Sequence, residues 1–196
     1  MPTAIDHPSV RRVREALSGL GCADTIRLLP DSARTAAEAA AALGTQPAAI
    51  ASSIVFGVDP DELAAADLGI MPGSLPEASD ESAGAQLPQP PLEPVLVITS
   101  GAHRVNTAMV AELLEVSRLH RVDASFVRRM SGFAIGGVAP VGWLRGDEPW
   151  QPVTVVDIAL AAQPRIWAAA GHPHSVFQTS YAALLRITGG QPGEVG

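Results

Sequence analysis

The run Gly136-Gly137-Val138-Ala139-Pro140 is the first place where this sequence could do chemistry. Two glycines allow positive φ and close backbone approach to a ligand, and the proline stiffens the exit. Such a turn can present amide N–H and carbonyl groups to a small polar molecule. The blander reading is a bend that binds nothing. Gly171-His172-Pro173-His174 is the second place. His172 and His174 would share one side of an extended segment. No third ligand is near in sequence, so a hydrogen-bonding or packing histidine fits better than a metal ligand.

Ser100-Gly101-Ala102-His103-Arg104-Val105-Asn106 is the third. It runs from a strand end into a helix start, where Arg104 could meet a phosphate. Asn106 as a plain helix cap, with Arg104 solvated, is the competing reading. Ser52 and Ser53 are the fourth: two hydroxyls inside an apolar strand, one toward each face. Neither lies in a Gly-x-Ser-x-Gly elbow, and nothing in sequence marks an activating base.

What is missing narrows the field. All 13 basic residues are arginine, so mechanisms that need a catalytic or Schiff-base lysine are excluded. The single cysteine, Cys22, excludes a disulfide framework and a cysteine-cluster metal site, and fits a reducing cytoplasm. There is no Walker A loop, no Gly-x-Gly-x-x-Gly and no zinc pattern. Apolar runs such as 95–99 are too short to span a bilayer, and residues 1–7 carry no signal-peptide pattern. The expectation is a cytoplasmic protein.

These residues need elements to hold them. Helical spacing of Val10, Val13, Leu17 and Leu20 predicts a helix over 8–20. A Thr35/Glu38 capping box opens a second helix, which Gly44 ends. Asn106, Asp123 and Ser180 cap three more. Strands are expected at 25–29, 50–58, 95–99, 153–157 and 165–169, with 133–135 extended. Strands and helices mix without strict alternation, which predicts an α/β (α+β mixed) domain around one sheet.

Residues 59–94 differ from the rest. They hold seven prolines and eight acids and no arginine. Those acids outweigh the whole net charge of -7, so the remainder sits near +1. The acidity therefore says nothing against a polyanionic partner of the body. The composition predicts a mostly disordered insertion, with one helical turn at 62–66, between neighbouring strands 50–58 and 95–99. The chain is otherwise expected to be one domain over 1–196.

The order of these segments is distinctive. Ile50-Ala51-Ser52-Ser53-Ile54-Val55-Phe56 follows the capped helix. Then come Ser100-Gly101-Ala102-His103-Arg104-Val105, Ser131-Gly132-Phe133 with the glycine-proline loop, and Gly171-His172 before the last helix. In this order the chain resembles the YbaK/ProX family of aminoacyl-tRNA deacylases, related to the editing domain of bacterial prolyl-tRNA synthetases. The resemblance covers most of 30–190 outside 59–94.

The resemblance implies a single YbaK-like domain whose curved mixed sheet forms a partly open barrel flanked by helices. It implies a trans-acting hydrolase for the ester of a mischarged tRNA, with Cys- or Ala-tRNA(Pro)-like substrates. No metal and no organic cofactor are implied. The expected partners are the 3′ end of the mischarged tRNA and an aminoacyl-tRNA synthetase; DNA and membranes are not expected.

The family's Gly-x-x-x-Pro loop maps onto Gly136 and Pro140, and its Gly-His pair onto Gly171 and His172. The implied catalytic positions are Ser52, Gly136 and His172. Ser53, Gly101, His103, Arg104, Gly137, Val138, Pro140 and Gly171 are implied substrate contacts. One departure stands out: the family pattern carries a lysine where this chain has Ser52. A hydroxyl donates only a neutral hydrogen bond where an ammonium would stabilise negative charge. A non-catalytic binding module of the same fold is the alternative.

Overall fold

The fold is given by a computed structural model that describes residues 4–29, 35–66 and 92–196. The longest strands lie at its centre. β2 (Ile50–Val58) and β3 (Glu93–Ser100) run antiparallel in unbroken register from Ala51↔Ser100 to Val58↔Glu93. β7 (Val153–Asp157) adds in parallel beside β3, and β10 (Gln191–Gly193) beside β7. On the other side of β2, β8 (Ile166–Ala169) pairs in parallel, then β9 (Ser175–Thr179) and β1 (Ile26–Leu28) antiparallel. A short β4 (His120–Arg121) pairs with the far end of β2. The expected mixed α/β sheet is therefore present. It stays open, with β1 and β10 at its two ends.

β3 is apolar without alternation because both of its faces are covered. Leu96 and Ile98 face one core, and Val95 and Val97 the other. The first core receives Val13 and Leu17 from α1 (Pro8–Gly19), Val127 from α5 (Ala124–Ser131) and Leu184 from α6 (Tyr181–Thr188). The second receives Val110 and Ala111 from α4 (Thr107–Leu113). A third, smaller cluster joins Ala39 and Ala40 of α2 (Ala36–Leu43) to Ile50, Trp167 and Val176.

The capped helices start where their caps stand. Thr35 and Glu38 form the reciprocal capping box of α2, and Gly44 closes it at φ +63°. Asn106, Asp123 and Ser180 each accept from backbone N–H groups two or three residues on. Other expectations are corrected. Phe133 to Ile135 is not extended strand but part of the loop that follows α5. The hairpin β5 (Trp143–Arg145) and β6 (Glu148–Trp150), and strands β4, β9 and β10, were not legible in sequence.

The acidic insertion begins as structure. Pro60–Ala65 forms the short helix α3, whose Glu62 carboxylate accepts from Ser117 N–H at 2.8 Å. At the other end Glu93 and Pro94 already belong to β3. The expectation for 67–91 lies outside the described residues.

Candidate functional site

The site arises from a split in the sheet. β3 accompanies β2 along its whole length, but on the other edge β8 pairs only with Ile50 and Ala51, and β4 only with Phe56 and Gly57. A cleft of about 240 Å³ opens beside the interval left between them. Ile50 and Ser52 point to one face of β2, Ala51 and Ser53 to the other. All four line the cleft, so it opens at the strand edge rather than over one face.

Ala36 and Ala39 of α2 form one wall, with Trp167 and Val176. Ile135, Gly136 and Val138 form another, and Pro173 and Ser175 close the end. Among the described residues no charged side chain lines the cleft. The Ser53 hydroxyl is buried without a hydrogen-bond partner among the described residues.

The first two sequence candidates meet here. The loop after α5 carries Gly136 at φ +86°, a conformation costly for any residue with a Cβ. Gly137 has an ordinary φ but needs its missing side chain for another reason. A Cβ there would lie 2.8 Å from the His172 Cα and 2.9 Å from its carbonyl carbon. The loop thus rests directly on the turn Gly171–His174 that links β8 to β9. Val138 is buried beside the cleft. Pro140 ends the loop away from it, its carbonyl accepting from Gln151 Nε2 at 2.9 Å.

His172 stands beside the cleft without lining it. Its ring lies 5.0 Å from that of His7 and 5.4 Å from that of His174. His172 Nδ1 accepts from His174 N–H, and His7 Nδ1 from Ser9 N–H. For His172, an accepting Nδ1 places the proton of the neutral ring on Nε2. Burial first, and the nearby His7 and His174 second, hold His172 below the usual histidine pKa. Gly171 packs against Ser9 at the start of α1. Among the described residues no group of three or more His, Cys, Asp or Glu is arranged to hold a metal ion.

The Ser-Gly-Ala-His-Arg stretch lies apart from the cleft lining. Asp157 at the end of β7 is wholly buried and organises it. Its carboxylate accepts from Ser100 N–H and from Ala159 N–H, each at 2.9 Å, and lies 3.0 Å from His103 Nδ1. Gly101 N–H donates to the Ile50 carbonyl at 2.8 Å, tying this bend to β2. Arg104 is exposed.

Two positions that brace the candidate segments were missed in sequence. Asp157 read only as a strand end. Arg12 read as part of a solvated arginine face, yet it is half-buried. Its Nε donates to the Gly142 carbonyl at 2.6 Å and one Nη to the Ser131 carbonyl at 3.4 Å. Its guanidinium sits 4.5 Å from the centre of the buried Phe133 ring. Arg12 therefore grips both ends of the glycine-proline loop from α1. Its place next to Val13 on the apolar stripe was the available signal.

A family model of the aminoacyl-tRNA editing domain matches residues 92–187. A crystal structure of a proposed trans-editing enzyme for prolyl tRNA synthetase is 30% identical, covering 96% of this chain and 96% of that chain, with a TM-score of 0.73. A chain from a study of epitope backbone grafting onto scaffold proteins is 28% identical, covering 96% of this chain and 97% of that one, at a TM-score of 0.73. The hypothetical protein APE2540 shares the fold, at 22% identity and a TM-score of 0.68, over 94% of this chain and 98% of its own. Among curated proteins no sequence matches. The end-to-end relative and the domain model agree, and this chain belongs to the YbaK-like family of aminoacyl-tRNA editing domains.

Proposed function

We propose that the protein is a trans-acting deacylase that hydrolyses the ester between a wrong amino acid and the 3′-terminal ribose of a tRNA. One observation carries this reading. The Gly136–Gly137 loop is seated on the Gly171–His174 turn at the wall of a small cleft that β2 floors. The family and the trans-editing relative support it. The cleft is small, and among the described residues no charged side chain lines it, so an amino acid with a small uncharged side chain suits it best. Alanyl- and cysteinyl-tRNA(Pro) are the substrates of choice, and an aminoacyl-tRNA synthetase and the cytoplasm are the fitting partner and place.

In the reaction, water adds to the ester carbonyl carbon and the bond to the ribose oxygen breaks. That oxygen leaves with a proton, and the free amino acid departs. With no lysine in the chain, the developing oxyanion falls to main-chain N–H groups and hydroxyls at the cleft. The neighbouring ribose hydroxyl of the substrate assists proton transfer. Pre-steady-state mixing with labelled alanyl- or cysteinyl-tRNA(Pro) tests this reading, with release of free amino acid as the expected result.

One observation favours a second reading, a binding module: among the described residues the cleft lining offers no carboxylate or histidine to act as general base. Saturable binding of the charged tRNA end without release of amino acid would decide for it.

A further inference from the structure

The interval in the sheet beside β2 leaves part of that strand's outer edge without a neighbouring strand. Gly101 N–H donates to the Ile50 carbonyl, and the β2–β3 register continues without a bulge. In an antiparallel ladder the main-chain groups of alternate residues point to opposite edges. Those of Ile50, Ser52 and Ile54 therefore face β3, and those of Ala51, Ser53 and Val55 face the other edge. There β8 takes Ala51, and β4 takes up the edge again at Phe56 and Gly57. The N–H and C=O of Ser53 and the N–H of Val55 have no backbone partner on that edge among the described residues, while the Val55 carbonyl faces the start of the β4 pairing. Ser53 lines the cleft, and its hydroxyl there is also unpartnered.

We infer that the cleft reads its ligand through the free edge of β2, with the aminoacyl group docking on Ser53 as a strand of one residue. An α-aminoacyl ester carries an amine donor and a carbonyl acceptor on adjacent carbons, the pair that one residue presents in an extended chain. Set antiparallel to Ser53, its carbonyl accepts from Ser53 N–H and its ammonium donates to the Ser53 carbonyl, completing one hydrogen-bonded pair. The occupant is a single aminoacyl group and not a peptide strand. β8 and β4 close the interval at both ends, and about 240 Å³ falls below the roughly 300–1,000 Å³ of drug-sized ligand pockets. Recognition by main chain makes the α-amino group a specificity element and leaves the amino-acid side chain to the apolar walls. The inference rests on the deacylase reading for the identity of the ligand.

Two non-hydrolysable probes test it with the full-length chain: 3′-alanylamino-3′-deoxyadenosine and its propionyl counterpart, which keeps the carbonyl and lacks the amine. Amide exchange and amide resonances are followed by NMR. In the free protein, Ser53 and Val55 N–H should exchange at least tenfold faster than Ser52 and Ile54 N–H. The alanyl probe should slow Ser53 exchange at least tenfold and shift its resonance. The propionyl probe should bind at least tenfold more weakly, having lost a charge-assisted bond.

Binding of the alanyl probe with Ser53 N–H unchanged would overturn the inference, as would equal affinity for both probes. Failure of both probes to bind would overturn it too. In each case release of amino acid from charged tRNA, measured separately, shows whether the deacylase reading stands without it.

Discussion

Ser52 lines the cleft at the position where the family pattern has an ammonium, and the proposed deacylation therefore leaves transition-state charge mainly to main-chain groups and the substrate's own ribose. Ser52→Ala should then lower the deacylation rate constant by less than about tenfold, or about 1.4 kcal/mol, the loss of one neutral hydrogen bond. Complete loss of turnover would make Ser52 itself essential. Ser52→Lys should raise the rate on family-type substrates, since a strand position at a cleft admits a long side chain whose head reaches the mouth.

His172 makes a separate prediction about pH. Burial and two neighbouring histidines depress its pKa below the ordinary 6.5, so the unfolded chain takes up this proton before the folded one does. Its neutral form is therefore accommodated at full stability above about pH 6.5, and stability falls as the pH drops through the depressed value. Thermal midpoints measured from pH 7.5 to 5.5 should fall more steeply for wild type than for His172→Gln. Parallel curves would contradict the assignment.

Among the elements, α1 holds the site rather than merely covering the sheet. Arg12→Met keeps the aliphatic packing and removes the donors to Gly142 and Ser131. It should cost about 1–2 kcal/mol in urea unfolding and raise KM for charged tRNA, because both ends of the glycine-proline loop are released. An unchanged KM would confine Arg12 to stability.

Element boundaries were legible where local chemistry sets them. Thr35 with Glu38, Asn106, Asp123 and Ser180 fix helix starts through their own side chains, and β2 reads directly as a β-rich run. Elements that depend on distant partners were not legible. β10, with Pro192 at its middle, exists only because β7 accepts it in parallel, and Pro149 breaks the strand pattern of β6. Phe133 looked like strand but is buried in the loop beneath Arg12. The loop, the turn and Ser52–Ser53 were visible as unusual residues. Their meeting at a split in the sheet was not, because the split depends on where β8 and β4 stop pairing.

At the scale of the whole molecule, the β2–β3 ladder carries its own register across eight residue pairs, so it does not need its connection to set it. Loop-closure entropy grows only logarithmically with length. Replacing 67–91 by a short glycine-containing turn, with α3 retained, should leave the thermal midpoint within a few degrees. A larger fall would show that the segment contributes to the fold.

The central claim is that the cleft where the glycine loop meets the 171–174 turn hydrolyses mischarged tRNA. Single-turnover release of labelled amino acid across a panel of mischarged tRNAs, for wild type beside Gly137→Ala, tests it most directly. A Cβ at 137 must push the loop off the His172 backbone. The account predicts release from tRNAs carrying small uncharged amino acids, slowed at least tenfold in Gly137→Ala at near-equal folded fraction. Absence of release by wild type from every charged tRNA, or equal rates for the two proteins, would contradict it.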